Sequence, residues 1–514
     1  MRAELSAHPR APARNWYRTR TETSLPLGIV RRAKIVCTLG PATDSEDVIA
    51  ELIANGMSVA RLNLSHGSHE EHQRRLDLVR KVSEQTGEGV AILADLQGPK
   101  IRLGVFSGGP VKLREGQQFI ITTREVDGDA HCCSTTYDGL TGDVSPGDEI
   151  LIDDGHVTLE AVEVTATDVV CRVVVPGRVS NHKGINLPGV TVSVPALSEK
   201  DRDDLRWALA AKADIVALSF VQRPEDIDDV RDIMEEVGLH RPVLAKIEKP
   251  QAVDRLQAII EAFDGIMVAR GDLGVELPME QVPLVQKRAI ILARAAAKPV
   301  IVATQMLDSM VTSSRPSRAE ASDVANAVLD GTDALMLSGE TSVGAHPALV
   351  VATMAKIIEY VEEKALGQVS SSEDNRTGST ARAITRAAVE VAEETHSKFI
   401  VSFTETGLTP RLVSRHRSAI PSLCFTPKPH VRNFLALVWG IRPFLARPVR
   451  HTDELVEQVD REILRMEMAK PRDKVVVIAG VPPGIPGTTN GMRVHMVGSG
   501  SAGRVEGAEQ PGEV

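Results

Sequence analysis

Short runs of β-branched and other apolar residues alternate along this chain with longer amphipathic stretches. The alternation is typical of βα units, in which parallel strands are joined by helices. The eight apolar runs begin at Lys34, Ser58, Ala91, Asp214, Pro242, Gly265, Pro299 and Ala334. Eight strands with intervening helices predict an α/β fold built on a (β/α)8 TIM barrel.

The pattern changes between the third and the fourth apolar run. Residues 98–195 are rich in Val, Thr, Gly and Asp and contain short alternating runs such as HVTLEAVEV. This pattern predicts an inserted all-β domain, a β-barrel that acts as a lid over the mouth of the TIM barrel and excludes water there. The TIM barrel itself, the predicted catalytic domain, is expected in residues 31–97 and 196–365.

A polar stretch, VSSSEDNRTGST, follows the barrel and is typical of a linker. Apolar alternation then resumes, and residues 366–500 are predicted to form a C-terminal α/β domain. The arginine-bearing leader at 1–30 and the Gly- and Glu-rich tail at 501–514 are predicted to be disordered. A transit peptide and an over-extended start are the other interpretations of the leader.

Composition narrows the class of protein. A chain of 514 residues exceeds what one hydrophobic core usually supports, and 42% hydrophobic residues suffice for several packed domains. The net charge of −10 disfavours nucleic acid as a partner. Five cysteines without a CxxC pair indicate reduced thiols, and no apolar run is long enough to span a membrane. These features predict a cytoplasmic protein with neither a nucleic-acid nor a membrane partner.

Polar side chains stand where seven of the eight predicted strands end. They are Arg61, Asn63, Ser65, Asp95, Ser219, Lys246, Glu248, Arg270, Asp272, Thr304, Ser338 and Glu340. One polar residue at a strand end is most often a solvated loop contact. Because the carboxyl ends of all barrel strands meet at one face, polar groups on seven of them predict an active site there.

The residue types indicate phosphoryl transfer. Lys246 and Glu248 are two residues apart on one strand and so share a face. Glu248 and Asp272, on neighbouring strands, can hold a hard cation such as Mg²⁺. Arg61 and Lys246 supply positive charge for a phosphoryl group in transfer. The alternative is a structural ion pair between Lys246 and Glu248. The backbone N–H groups around Gly271 can hold a substrate carboxylate.

Several sequence blocks, in their order along the chain, resemble the pyruvate kinase family. They are RLNLSHG, ADLQGPKIR, KGINLPG, PALSEKD, AKIEKP, MVARGDLGVELP, VATQMLDSM and LMLSGET, and the resemblance extends from about Arg31 to Val497. It implies transfer of the phosphoryl group of phosphoenolpyruvate to ADP, giving pyruvate and ATP in the last step of glycolysis. It also implies Mg²⁺ both in the protein site and on the nucleotide.

The resemblance assigns roles to matching residues. The catalytic residues that it implies are Lys246, Arg61, Thr304, Ser338 and Glu340. The substrate-binding residues that it implies are Arg61, Lys246, Gly271, Asp272 and Thr304. The Mg²⁺ ligands that it implies are Glu248 and Asp272. The nucleotide-binding residues that it implies are Pro41, Asn63, His66, Arg102 and Lys183. The group that protonates the enolate stays open.

One departure from the family pattern concerns a monovalent cation. The residues that match the family's K⁺ site are Asn63, Ser65, Asp95 and Leu96. Members that need K⁺ carry a Glu at the position of Lys100 and a Thr at that of Leu96. A lysine ammonium near this site supplies the same unit charge, so the pattern predicts that K⁺ is not required. The alternative is that Lys100 extends into solvent.

The C-terminal domain resembles the family's effector-binding domain, which implies allosteric control by a sugar phosphate or a nucleotide. The candidate effector residues, in the loop TETGLTPR, are Thr404, Thr406, Gly407, Thr409 and Arg411. Such Thr- and Gly-rich loops are otherwise ordinary turns. The family also implies a homotetramer.

Two other functions are weighed against the kinase. One is a non-catalytic regulatory paralogue that binds phosphometabolites, and the other is a different barrel enzyme acting on phosphoenolpyruvate or pyruvate, such as an aldolase or a lyase. The intact set of charged strand-end residues disfavours the first. The matching nucleotide-side residues and the long insert disfavour the second.

Overall fold

The computed structural model describes residues 31–369, except 191 and 194, and residues 378–499, except 450, 483 and 486. The predicted leader at 1–30 and the predicted tail at 501–514 therefore lie outside the described residues, as does most of the polar linker.

The first part of the barrel follows the predicted βα rhythm. Its elements are β1 (Lys34–Thr38), α1 (Glu46–Ala54), β2 (Met57–Asn63), α2 (His69–Thr86) and β3 (Ala91–Asp95), with a 3₁₀ helix at Pro41–Thr43. β1 and β3 are buried along their whole length, as expected for parallel strands covered on both faces. α2 begins at a capping box in which Ser68 and Glu71 satisfy each other's backbone N–H groups.

The insert leaves the barrel after β3 and forms its own sheets. Its elements are β4 (Val111–Leu113), β5 (Gln118–Thr122), β6 (Cys132–Ser134), α3 (Leu140–Asp143), β7 (Glu149–Ile152), β8 (Val157–Val164), β9 (Asp168–Val175), β10 (Gly177–Val179) and β11 (Ile185–Asn186). Six strands pair in the order β11-β7-β8-β9-β5-β6, and β10 pairs with β4. The sequence predicts a β-barrel here, whereas these two sheets are open, because the edge strands β6 and β11 are only three and two residues long.

The barrel is completed after the insert. Its further elements are α4 (Glu199–Ala210), β12 (Ile215–Leu218), α5 (Asp228–Val237), β13 (Val243–Ile247), α6 (Pro250–Asp254), α7 (Leu256–Ala262), β14 (Gly265–Ala269), α8 (Arg270–Glu276), α9 (Val282–Ala295), β15 (Val300–Ala303), α10 (Arg318–Asp330), β16 (Ala334–Leu337), α11 (Gly339–Ser342) and α12 (Pro347–Ala365). Short 3₁₀ helices lie at Pro224–Ile227, Asp308–Val311 and Leu366–Gln368. The eight strands close in the order β1-β16-β15-β14-β13-β12-β3-β2, all parallel, which confirms the predicted (β/α)8 barrel.

An aspartate precedes three of the barrel strands and secures the amino end of the strand beside it. In each case a carboxylate oxygen accepts a backbone N–H from the first or second residue of the neighbouring strand. The pairs are Asp214 with Ile92 (2.8 Å), Asp264 with Val243 (3.0 Å) and Asp333 with Val300 (3.2 Å). Hydrogen bonds to these aspartate side chains therefore join neighbouring strands at the amino end of the barrel. The strand-end charges of the candidate site lie at the opposite, carboxyl end.

The C-terminal domain is an α/β sheet, as predicted. Its elements are α13 (Thr380–Glu394), β17 (Phe399–Phe403), α14 (Leu408–Ser414), β18 (Ser422–Thr426), α15 (Pro429–Leu435), β19 (Ile441–Leu445), α16 (Thr452–Arg465), β20 (Lys474–Gly480) and β21 (Thr489–Met496). The strands pair in the order β19-β18-β17-β20-β21, with only β21 antiparallel to its neighbour.

The C-terminal domain packs against the amino end of the barrel. Phe434 and Leu437 join the apolar cluster that fills the barrel interior. Asp333 accepts hydrogen bonds from the Arg417 guanidinium (3.0 Å) and from the Trp439 backbone N–H (2.9 Å). This domain therefore lies at the end of the barrel opposite the strand-end charges. In the part of the chain that the structure describes, no helix is long and apolar enough to cross a membrane.

Candidate active site

Four charged side chains meet at the carboxyl ends of β2, β3 and β13. Arg61 Nε lies 2.7 Å from Asp95 Oδ2, and Lys246 Nζ lies 3.4 Å from the other oxygen, Asp95 Oδ1. Lys246 Nζ also lies 2.8 Å from Glu248 Oε1. Arg61, Asp95 and Glu248 are buried. The structure therefore places Lys246 and Glu248 on one face, as their spacing predicts, and adds Asp95 between the two cations.

The charges in this cluster fix one another's protonation. Burial alone would lower the pKa of Lys246, but Asp95 and Glu248 outweigh burial and raise that pKa, so the ammonium stays charged. Burial would raise the pKa of Asp95, and Lys246 and Arg61 lower it instead. Burial raises the pKa of Glu248, and although Lys246 opposes this, the carboxylate of Asp272 adds to it. The cluster holds permanent positive charge next to two crowded carboxylates.

The turn that follows β12 contributes hydrogen bonds to Lys246 and Glu248 of this charged cluster. Ser219 Oγ accepts a hydrogen bond from Lys246 Nζ (2.7 Å) and donates one to the carbonyl of Leu96 (2.7 Å). The backbone N–H of Phe220 donates to Glu248 Oε2 (2.7 Å). Phe220 has φ +56°, a left-handed conformation rare for a bulky residue, so the turn is strained where it holds the carboxylate. Sequence reasoning places Ser219 at a strand end but misses Phe220, because its contribution comes from the backbone.

The short helix α8 and the loop after β15 form the opposite wall. The Gly271 backbone N–H donates to Thr304 Oγ1 (2.7 Å), and Thr304 has φ +71°. Arg270 anchors the start of α8 through Asp323, at 2.7 Å, and through the Thr304 carbonyl, at 2.9 Å. Gly271 and Thr304, which the sequence assigns to a substrate carboxylate, are thus in direct contact, and Asp272 follows on the same helix.

Ser338 and Glu340 follow β16, and the carboxylate of Glu340 is held by backbone N–H groups. Glu340 accepts hydrogen bonds from the backbone N–H of Ser338 (2.6 Å) and of Leu307 (3.2 Å). Glu340 is buried, as is Thr341, whose hydroxyl donates to the carbonyl of Thr38. Glu340 therefore ties the loop after β15 to the loop after β16, next to Thr304.

The carboxylates of Glu248 and Asp272 fit a divalent cation. Burial, and to a smaller extent the charge of Asp272, raise the pKa of Glu248, so a cation bound between the two carboxylates would be stabilised. Among the described residues, no group of three or more His, Cys, Asp and Glu side chains is arranged to hold a metal ion. A site with two protein carboxylates, completed by substrate oxygens and water, is typical of Mg²⁺.

The residues predicted for a monovalent cation are only partly brought together. Asn63 Oδ1 accepts the backbone N–H of Ser65 (3.3 Å), and Asp95 pairs with Arg61 and Lys246 rather than with Lys100. The Lys100 side chain lies against Gly184 of the insert, where a Cβ would stand 3.0 Å from Lys100 Cε. β3 ends at Asp95, so the chain from Leu96 onwards already turns toward the insert.

The residues predicted to bind the nucleotide lie at the edge of the barrel and on the insert. Pro41 begins the 3₁₀ helix after β1, and the carbonyl of His66 contacts the ring of His72 (2.8 Å). Arg102 donates to the carbonyl of His182 (3.0 Å), and Lys183 Nζ pairs with Asp153 (2.8 Å). Arg102 and Lys183 therefore lie within the insert, Lys183 on the loop that leads into β11 and Arg102 beside that loop, where it pairs with Gly184.

A cavity of about 100 Å³ opens between β17, α14 and the loop after β20 in the C-terminal domain. Three of the candidate effector residues, Thr404, Thr406 and Thr409, line this cavity together with Arg447, which the sequence analysis does not single out. Gly407 and Arg411 do not line it. Arg411 instead donates to the carbonyl of Ala297 in the barrel (3.5 Å) and stacks over Phe434, because its helix faces the barrel.

A closed TIM barrel with a lid-like insert, fixed cations and paired carboxylates at its carboxyl end defines an enzyme that acts on an anionic substrate. Comparison with known proteins identifies the family within this class of enzymes. The pyruvate kinase barrel domain matches residues 30–351, and the pyruvate kinase alpha/beta domain matches residues 382–495. The chain belongs to the pyruvate kinase family and is a phosphotransferase.

Individual relatives agree over nearly the whole length. The chain is 53% identical over 469 residues to the pyruvate kinase of Corynebacterium glutamicum, covering 91% of this chain and 98% of the relative. It is 51% identical over 470 residues to the pyruvate kinase of Mycobacterium tuberculosis, covering 91% and 99%. The crystal structure of a pyruvate kinase from Cryptosporidium parvum superimposes with a TM-score of 0.86 at 36% identity, covering 91% of this chain and 96% of that one.

Proposed function

We propose that the site transfers the phosphoryl group of phosphoenolpyruvate to ADP, with Mg²⁺, and releases pyruvate and ATP. The observation that carries the assignment is the position of Lys246, whose ammonium is held between Glu248 (2.8 Å) and Asp95 (3.4 Å) at the barrel mouth. Its raised pKa keeps the charge in place while a phosphoryl group passes. The regulatory paralogue is disfavoured, because a fold without chemistry would not need this array.

Each side of the site has a proposed task. Arg61 and Lys246 neutralise the phosphoryl oxygens, and Lys246 also faces the developing enolate. Gly271, Asp272 and Thr304 orient the substrate carboxylate. Because the Gly271 N–H already donates to Thr304 Oγ1, we expect this hydrogen bond to be shared or exchanged when the carboxylate binds.

Glu248 and Asp272 would hold the Mg²⁺ of the protein site, which when bound supplies a Lewis acid for the phosphoryl and enolate oxygens. The backbone N–H of Phe220, in its strained turn, donates to Glu248 and so fixes the orientation of this proposed Mg²⁺ ligand. On the nucleotide side we propose Pro41, Asn63, His66, Arg102 and Lys183. We place Thr304 near the expected enolate carbon, with a water chain that involves Ser338 and Glu340, and the group that delivers the proton is left open.

The proposal is tested by the initial rate of pyruvate formation from phosphoenolpyruvate and ADP with Mg²⁺. The Lys246→Met variant removes the ammonium, and we expect kcat to fall by at least about 10³-fold, because a fixed charge at the transferring group is worth several kcal/mol. Lys81→Met, which breaks the exposed pair of Lys81 with Glu46, is the matched control and should keep wild-type kcat. A folded wild-type protein without turnover would overturn the assignment.

We further propose that turnover does not require K⁺. Two observations on charge support this proposal. Lys100 follows Asp95 by five residues and brings a positive charge into this segment, and the negative charge of Asp95 is already paired with Arg61 and Lys246. Lys100→Glu should create a K⁺ requirement, so that added KCl raises its kcat while wild type is indifferent. Lys112→Glu, a charge reversal on an exposed residue of β4, should remain indifferent. A K⁺-dependent wild type would refute this proposal.

The remaining assignments follow from the family. We propose that the protein is a cytoplasmic homotetramer. In each subunit the catalytic barrel comprises residues 31–97 and 196–365, the lid comprises residues 98–195, and the effector domain comprises residues 366–500. The cavity lined by Thr404, Thr406, Thr409 and Arg447 is the proposed effector site, for a sugar phosphate or a nucleotide. Gel filtration and turnover with each effector class would test the two statements separately.

A further inference from the structure

The insert and the barrel have separate hydrophobic cores. The core of the insert runs from Ile101 to Val190 and includes no barrel residue, while the main barrel core has no residue of the insert. Because the two cores share no buried residue in the described part of the chain, we expect the orientation of the insert to depend on its two chain connections and on polar contacts.

A buried polar triad crosses this boundary. Asn186, on β11 of the insert, donates through Nδ2 to Glu276 Oε1 at 3.0 Å, and Lys249 Nζ lies 2.6 Å from the same oxygen. Each of the three residues is no more than 7% exposed. Polar and charged groups are buried at a cost unless they are paired, so three matched partners at a domain boundary form a specific connection.

The triad reaches the active site along two routes. Glu276 is the last residue of α8, the helix that carries Asp272 in its first turn. Lys249 directly follows Glu248, and its ammonium lies 5.6 Å from the ring centroid of Phe220, whose N–H holds Glu248. The position of the insert is thus connected to both carboxylates of the candidate Mg²⁺ site.

We propose that Asn186, Glu276 and Lys249 form a latch that positions the insert over the site in phosphoryl transfer. The inference rests on the proposed function. Lys183, the nucleotide-side lysine, stands three residues before Asn186 in the same KGIN segment, so the latch that holds Asn186 also fixes where Lys183 meets the nucleotide. The latch members are positioning residues, because none of them is placed at the reacting atoms.

The test separates the two substrates. Asn186→Ala leaves the Lys249–Glu276 pair intact, and we expect about a tenfold rise in KM for ADP together with a lower kcat, since a hydrogen bond to a charged group is lost. KM for phosphoenolpyruvate should stay within about twofold, because Arg61 and Lys246 stand on the barrel. General damage to the fold would lower kcat and leave both KM values alone.

Rescue and a matched control sharpen the test. Asn186→Asp sets a second carboxylate against Glu276 and should be at least as impaired as Asn186→Ala. Adding Glu276→Gln lets the new amide donate to Asp and should recover most of the ADP affinity. Gln251→Ala removes another hydrogen bond between barrel and insert, from Gln251 Nε2 to the carbonyl of Val190 (3.5 Å), which does not reach α8, and should behave as wild type.

A second readout does not need turnover. Amide hydrogen exchange of the segment 183–187, which excludes the contact of Gln251 with Val190, should quicken in Asn186→Ala of the ligand-free protein and stay unchanged in Gln251→Ala. If wild type has no turnover but exchange responds in this way, the latch stands and the proposed function falls. If wild type turns over and neither exchange nor the KM for ADP responds, or both KM values rise equally, the latch is overturned.

Discussion

Lys34 offers a sharp test of the electrostatics at the amino end of the barrel. Its side chain is buried at the start of β1, and Nζ donates to the carbonyl of Ile441 in the C-terminal domain (2.8 Å). Burial, and then the neighbouring guanidinium of Arg31, lower the pKa of Lys34 from 10.5 to about 7, and Glu362 only partly opposes them. The folded protein therefore binds this proton more weakly than the unfolded chain does.

The sign and size of the effect follow from linkage. Between about pH 7 and pH 10.5 the unfolded chain binds more protons at this site than the folded protein, so the free energy of unfolding rises with pH. At about 1.4 kcal/mol per pKa unit, the buried lysine costs about 5 kcal/mol well below pH 7, about 4 kcal/mol at pH 7, where the folded protein is half protonated at this site, and about 2 kcal/mol at pH 9.

Lys34→Met keeps the length of the apolar stem and removes the titrating group. We expect its advantage in free energy of unfolding over wild type to be about 2 kcal/mol larger at pH 7 than at pH 9. Urea unfolding, followed by circular dichroism at both pH values, measures this difference. The lost hydrogen bond to Ile441 shifts both values equally, and Lys356→Met, at an exposed lysine of α12, controls for the lost charge. An advantage that is the same at both pH values would refute the reasoning.

Three other predictions concern the site and its frame. Gly98→Ala places a Cβ 2.5 Å from the Phe220 ring at a residue with φ +74°, and should lower kcat at least tenfold. Gly116→Ala is the control: Gly116 has the same φ but no atom near its Cβ position, so this variant should lose only about 1 kcal/mol of folding stability through backbone strain. Asp333→Ala leaves Arg417 buried without this carboxylate and should cost about 3–5 kcal/mol, seen as a lower Tm. EDTA should abolish pyruvate formation, and added Mg²⁺ should restore it without change in circular dichroism.

The barrel was predictable because its strands are buried on both faces and so appear as continuous apolar runs. The eight predicted runs overlap the eight strands of the barrel, and the predicted neighbours Lys246 and Glu248 are in contact. Periodicity works there because a strand has a fixed two-residue repeat. The same repeat says nothing about Lys100, since it ends with β3 at Asp95 and the chain beyond it follows the insert, so the role of Lys100 stays a prediction that rests on the resemblance.

Contacts that join distant segments had no local signal. Phe220 acts through its N–H in a strained turn, and Asn186 meets Glu276 across a separation of 90 residues. An Asn after an apolar residue in a β-rich segment predicts a surface turn equally well. The candidate effector loop shows both cases. Its threonines line the cavity, whereas Arg411 contacts the barrel because of how the two domains pack, which no local pattern predicts.

The aspartates that precede alternate barrel strands have a consequence for dividing the chain. Two of them serve a second partner in the C-terminal domain: Asp214 accepts from Asn433 (2.9 Å), and Asp333 binds Arg417 and Trp439. A truncation after the barrel would uncover its apolar floor and leave these carboxylate oxygens to water. An isolated barrel fragment would therefore be expressed with an exposed hydrophobic base, so the catalytic domain should be produced only with its C-terminal neighbour attached.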